Sequence, residues 1–282
     1  MTKFKKYQSI ENHYREEYIN SFNLKGPFVI MEKLDGCNIQ IVFRPNEPYL
    51  VGKRSSYITK ENNFNDIWNT LDKYKEELFC LQQYCNLINK EVTCYGELYG
   101  KGIQKRVDYG NEKYIKFFDC VIDDQILDFD PFVKLFGKIT MMPYIHSIHA
   151  TLEEALNLPF QENSEGYIIK PRVNIYNQFG SRFVIKRKSP SFVDKQNTPT
   201  PKHNLHGAIQ DYINENRVLD CFSKIGTIEY KKDIPKYIRY ILDDAIIDFD
   251  KDHPDLDLTP KERKQVCNPG SSIANLLLKH IK

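Results

Sequence analysis

Lys33 sits in the run Glu32-Lys33-Leu34-Asp35-Gly36-Cys37-Asn38, beside an Asp-Gly pair that favours tight turns. Apolar runs flank it, Val29 to Met31 and Ile39 to Phe43. A lysine displayed at such a place can be partly desolvated, which disfavours the ammonium form, and only the neutral amine is a nucleophile. The alternative is an exposed lysine ahead of a hairpin turn, because K-x-D-G strings are common by chance. Further segments bear on the choice. Glu165-Gly166-Tyr167-Ile168-Ile169-Lys170-Pro171 sets a carboxylate before an apolar strand and a lysine at its far end. Arg182 to Lys188 alternates with period two, so Phe183 and Ile185 face one way while Lys186 and Lys188 face the other. Two ammonium groups on one face repel each other unless an anion lies between them, and a triphosphate would serve. A solvated edge strand that uses lysines against aggregation is the competing account. Tyr95 to Lys105 carries Gly96, Gly100 and Gly102, which allow close backbone approach to a ligand. Phe117 and Phe118 follow as an aromatic pair able to stack on a base, or else as part of a loop and core strand.

The elements that must position these groups are short. Val92 to Tyr99, Tyr114 to Ile122, Gly166 to Lys170 and Arg182 to Lys188 read as strands. Asn65 to Leu87 reads as one helix, with Ile67, Leu71, Tyr74, Leu78 and Leu81 near helical spacing. This interleaving predicts an α+β domain over residues 1–195 with mostly antiparallel sheets. Residues 196–204 are polar with two prolines and read as a linker. Beyond it, Leu205 to Phe222, Ile234 to Phe249 and Ser271 to Ile281 read as amphipathic helices of a small all-helical domain, 205–282.

Composition narrows the classes. The chain has 282 residues, and 41% of them are hydrophobic, with 18 Tyr and 17 Phe, which excludes intrinsic disorder. No stretch approaches the apolar length of a membrane span. Seven scattered cysteines form no C-x-x-C pair, and the N-terminal residues lack the apolar run of a signal peptide. The expectation is an intracellular protein in a reducing compartment, with Cys37 a small buried residue. His146 with His149, and His203 with His206, have helical metal-ligand spacing but no third ligand nearby. The acids from Asp243 to Asp257 fail the calcium-loop pattern, with Asp255 where a glycine is required, and read as a solvated face. With 40 basic and 38 acidic residues, the net charge of +2 predicts a small basic surface confined to one face.

In order along the chain, these segments resemble the covalent nucleotidyltransferases, the superfamily of polynucleotide ligases and capping enzymes. Glu97 to Gln104, Val107-Asp108-Tyr109-Gly110, Glu165 to Pro171, Asn216-Arg217-Val218 and Ser223-Lys224-Ile225-Gly226 resemble more narrowly the phage-type double-strand RNA ligases, with the trypanosome RNA-editing ligases. The resemblance implies an ATP-grasp-like ligase adenylation domain of antiparallel sheets flanked by helices, followed by a helical domain. It implies an ATP-dependent RNA ligase that joins 3′-OH and 5′-phosphate ends, at nicks in duplex RNA, acting as a monomer without a membrane. Lys33 would become a lysyl-AMP, Lys186 and Lys188 would hold the α-phosphate, and Glu165 would bind Mg²⁺ or Mn²⁺ through water. Arg54 would contact the sugar or the 5′-phosphate, Glu97 the ribose hydroxyls and Phe118 the adenine. Glu32, Leu34, Asn38 and Lys170 would line the same pocket. A DNA ligase or capping guanylyltransferase is the rival enzyme, although those usually carry a β-barrel where this chain reads as helical. A decayed nucleic-acid-binding module is the rival from another class, and decay would have removed one of Lys33, Glu165, Lys186 or Lys188.

Overall fold

The computed structural model describes residues 4–61, 64–104, 106–192, 208–253, 256 and 258–280. The chain divides into two units, Met1–Ser191 and Phe192–Lys282. The linker expected over 196–204 lies outside the described residues, as do Lys105, His203 and His206.

The first unit opens with β1 (Glu11–Asn12), α1 (Glu16–Asn20), β2 (Phe28–Glu32), β3 (Gly36–Arg44), β4 (Glu47–Lys53) and β5 (Tyr57–Ile58). There follow α2 (Ile67–Asp72), α3 (Lys75–Ile88), β6 (Val92–Gly100), β7 (Lys113–Ile122), β8 (Gln125–Ile126) and α4 (Phe129–Phe136). The unit closes with β9 (Ile145–His149), α5 (Leu152–Leu156), β10 (Gly166–Pro171) and β11 (Ile185–Lys188). One sheet runs β1-β11-β10-β2-β9 and the other β5-β4-β3-β6-β7-β8. All neighbours are antiparallel except β1 and β11.

Alternation decides what each sheet face does. On β2, Phe28 and Ile30 join Phe183, Ile185 and Tyr167 in a core closed by α1 and α5, while Val29 and Met31 face the other way. On the second sheet Cys37, Ile39, Ile41 and Phe43 point to the largest core, with α2, α3 and α4. Cys37 is fully buried there. The two remaining faces look at each other across Val29, Met31, Phe129, Ile168 and Phe118.

Three local expectations change. β2 and β3 lie in different sheets, so Lys33-Leu34-Asp35 is a crossover between sheets and not a hairpin turn. Gly36 is required by close approach, since a Cβ there would meet Leu98 O at 2.4 Å and Glu97 Cγ at 2.9 Å. The single helix expected over 65–87 is two helices, interrupted at Lys73–Tyr74, where the Tyr74 hydroxyl instead accepts the Ile115 N–H at 3.3 Å. The strand expected over 182–188 shortens to β11, because Arg182 pairs with Tyr176 in an isolated bridge.

The second unit holds a 3₁₀ turn (Ala208–Tyr212), then α6 (Glu215–Ile225), α7 (Ile234–Asp252), α8 (Pro260–Val266) and α9 (Ser272–Leu278). Asn214 caps α6 through its side chain and Thr259 caps α8 with a capping box. The acids of α7 are not merely a solvated face. Asp244 and Asp248 bind the Arg217 guanidinium, Asp252 accepts the Tyr212 hydroxyl at 2.8 Å, and Asp250 binds Arg263 at 2.6 Å. Helical spacing turns residues four apart to one side, and that side meets α6. Asp255 and Asp257 lie outside the described residues.

Candidate active site

Lys33 leaves β2 at the point where the chain changes sheets, and its N–H donates to Gly166 O at 2.9 Å. Its ammonium reaches Glu165 Oε2 at 2.6 Å. Glu165 is 1% exposed, directly ahead of β10, and its carbonyl accepts the Ser189 N–H at 2.9 Å. Its second oxygen, Oε1, is buried with no hydrogen-bond partner and lies 3.7 Å from Lys188 Nζ. A carboxylate out of water between two ammonium groups, with one acceptor left over, is an arrangement that cannot be explained by packing alone. Gly166 makes it feasible. Its φ is +139°, and a Cβ would meet Arg187 O at 2.1 Å, so β10 and β11 close together where Glu165 and Lys188 meet.

β11 pairs with β10 so that Lys188 lies opposite Gly166 and Lys186 opposite Ile168. Both lysines share the face of Ile168, Met31 and Val29, while Ile185 is core and Arg187 turns to Phe160, its guanidinium 4.1 Å from that ring. Across from them the second sheet offers Asn38 on β3, opposite Glu97 on β6. Arg54 is half-buried in the turn after β4, closed by a Lys53 N–H to Ser56 O bond of 2.9 Å. Leu34 is half-buried in the crossover. Glu32 is half-buried as well, and burial pushes its carboxyl up.

The aromatic pair splits. Phe117 is fully buried among the helices, and Phe118 is half-buried on the opposite face, in one cluster with Val29, Met31 and Ile168. Gly96 and Gly100 serve β7 and not a ligand, since a Cβ would meet Lys116 O at 2.7 Å and Glu112 O at 2.2 Å.

Lys170 departs from its expected place in the pocket lining. It is 4% exposed, and its ammonium donates to Asp119 Oδ1 at 2.7 Å and to Phe118 O at 2.8 Å. Asp119 also receives Arg182 Nη1 at 2.8 Å and the Tyr7 hydroxyl. Burial alone would raise the Asp119 carboxyl, but Arg182 and Lys170 hold it well below the usual carboxylate range. Burial pulls the Lys170 ammonium down in spite of Asp119. Lys170 thus secures the strand segment that carries Phe118. Asp119, and Arg106, which pairs with Asp35, belong to no local sequence pattern, because each partner lies far along the chain.

His146 and His149 lie on β9, whose pairing with β2 is interrupted by a bulge between Ile145 and Ser147; His146 packs against the Tyr167 ring with its Nδ1 3.0 Å from Gln161 Nε2, and His149 Nε2 lies 3.0 Å from Ser147 Oγ. Among the described residues no group of three His, Cys, Asp or Glu could hold a metal, and no helix is long and apolar enough to cross a membrane.

Two family models match the chain, one described as RNA ligase over residues 26–188 and one as T4 RNA ligase 2 C-terminal over residues 195–274. The fold is similar to that of the Naegleria gruberi RNA ligase solved with PPi, at 18% identity and a TM-score of 0.52. A mutant of that ligase with ATP and Mn gives 17% identity and a TM-score of 0.51. Each match covers 67% of this chain and 57% of the other, so the chain spans little more than half the length of these neighbours.

Proposed function

Because the chain belongs to the RNA ligase family, whose model covers residues 26–188, we propose that it is an ATP-dependent RNA ligase that seals 3′-OH and 5′-phosphate ends at nicks in duplex RNA. The observation that carries this reading is the buried contact of Lys33 with Glu165 beside Lys188.

The neutral Lys33 amine attacks the α-phosphate of ATP. A P–N bond forms, the bond to the β-phosphate oxygen breaks, pyrophosphate leaves with the electron pair, and the amine sheds a proton. A 5′-phosphate oxygen of RNA then displaces Lys33 from the lysyl-AMP. A 3′-hydroxyl finally displaces AMP and closes the phosphodiester. Each step moves charge onto phosphoryl oxygens, so the protein contributes positioning and cations. Lys188 and Lys186, on one face of β11, are suited to the α-phosphate. Phe118 offers its half-buried ring to adenine, Glu97 meets the ribose, Asn38 lines the same pocket, and Arg54 meets the sugar or the 5′-phosphate.

Glu165 Oε1, which accepts no hydrogen bond and lies 3.7 Å from the Lys188 ammonium, fits a hydrated divalent ion, Mg²⁺ or Mn²⁺, held through water, because such ions dehydrate reluctantly. When bound, the ion supplies charge that neutralises phosphate oxygens. The helical second unit favours an RNA ligase over a DNA ligase or a capping enzyme.

Incubating the protein with ATP labelled at the α-phosphate and Mg²⁺ tests this. A protein-bound label that survives alkali, is lost in acid and is missing from Lys33→Ala is expected. No label in the wild type overturns the reading. Sealing DNA nicks with a DNA 3′-OH as well as RNA nicks overturns the substrate assignment.

A further inference from the structure

Asp35, two residues beyond Lys33, is 1% exposed and held at both its side chain and its main chain by one loop. Arg106 Nε lies 3.2 Å from Asp35 Oδ2, and Arg106 Nη2 binds Oδ1, so the guanidinium grips the carboxylate with two bonds. The Asp35 N–H donates to the Tyr109 hydroxyl at 2.9 Å. The loop is anchored apart from these contacts. Val107 is buried, the Tyr109 ring packs edge-on to Tyr99 at 4.8 Å, and Ile103 N–H donates to Gly100 O at 3.1 Å. That loop joins β6 and β7 of the second sheet, whereas Lys33 N–H is bound to Gly166 of the first. The crossover Lys33-Leu34-Asp35 is therefore clamped to both sheets, at Lys33 to the first and at Asp35 to the loop of the second.

We propose that Arg106 is a positioning residue for adenylylation, acting through Asp35 to fix the crossover so that Lys33 stays on Glu165. This rests on the ligase reading above. Burial raises the Asp35 carboxyl and Arg106 opposes the shift. Without Arg106, a buried carboxylate stands unpaired, and the relief available to it is to swing the crossover towards water. Only Leu34 separates it from Lys33, so the nucleophile moves with it, and a misplacement of about 1 Å costs on the order of 10²-fold in rate. A lysine at 106 keeps the charge but not the two-bond fork.

The test is the single-turnover rate of labelled AMP transfer to Lys33 over a range of ATP, for the wild type, Arg106→Lys, Arg106→Gln and the double variant Asp35→Asn/Arg106→Gln, with thermal unfolding of each. Arg106→Gln should lower the maximal rate by about 10²-fold with little change in KM for ATP. Arg106→Lys should recover part of it, and the double variant, which buries no unpaired charge, should outpace Arg106→Gln. A normal rate in Arg106→Gln, a loss confined to KM, or a double variant no faster than the single overturns the proposal. If Arg106→Gln does not fold, Arg106→Lys decides: a reduced maximal rate supports the clamp and a normal one overturns it. A wild type that takes no label sinks the ligase reading itself, which a labelled wild type with an unaffected Arg106→Gln does not.

Discussion

The Lys33 ammonium occupies one oxygen of the Glu165 carboxylate at 2.6 Å, and the other oxygen, 3.7 Å from Lys188, has no hydrogen bond. One buried acid is thus shared between Lys33, the proposed nucleophile, and Lys188.

Glu165→Gln keeps the shape but not the charge. Lys33 adenylylation should fall by about 10²-fold or more, the scale seen when a preorganised charge partner is removed. Lys188→Ala should fall by a similar factor, and in maximal rate more than in KM for ATP, because phosphate charge grows in the transition state. An unchanged rate in either variant contradicts the assignment.

Phe117 and Phe118 should part company under truncation. Phe118→Ala should raise KM for ATP roughly tenfold or more, since stacking on a base is worth about 1–3 kcal/mol. Phe117→Ala removes a fully buried ring and should destabilise the protein by about 3–5 kcal/mol. Denaturant titration and ATP dependence of labelling separate the two outcomes.

Asp119→Asn leaves Lys170 and Arg182 buried without their counter-ion and should cost about 3–5 kcal/mol. The pH dependence has a definite sign. Asp119 is held below its unfolded value of about 4, so its contribution is complete above that pH and disappears as pH falls through the folded value. The difference in Tm between wild type and Asp119→Asn should stay constant from about pH 5 to 8 and shrink below about pH 4.

In the helical unit, Arg217 Nε donates to Tyr212 O at 2.7 Å and Nη2 to Asp248 at 2.8 Å, with Nη1 on Asp244. The two acids are about one-third exposed, which weakens their share. Arg217→Ala should cost about 2–3 kcal/mol, with Arg217→Lys recovering little, as read by the loss of helical circular dichroism on heating.

Legibility followed the range of the physics. Thr151-x-x-Glu154 and Thr259-x-x-Glu262 are capping boxes within four residues, so the starts of α5 and α8 are legible in local sequence. β5 and β8 have two residues each, too few to show a period. The family resemblance alone puts Lys170 in the pocket. Its commitment to Asp119 depends on a residue 51 positions away.

By itself, the sequence determined the change from β-rich to helical elements along the chain, the strand alternation that puts Lys186 with Lys188, and the motifs around Lys33 and Glu165. These are local: period, turn chemistry and residue type act within a few positions. Only the tertiary structure decided that β2 and β3 belong to different sheets, which makes Lys33 the end of a crossover. It alone decided that Glu165 has one oxygen on Lys33 and the other without a hydrogen bond beside Lys188, and that Asp35 and Asp119 have distant arginines for partners. Those facts depend on which strands pair and how deeply a charge is buried, and a carboxylate's partner is chosen by proximity in space, which chain order does not encode.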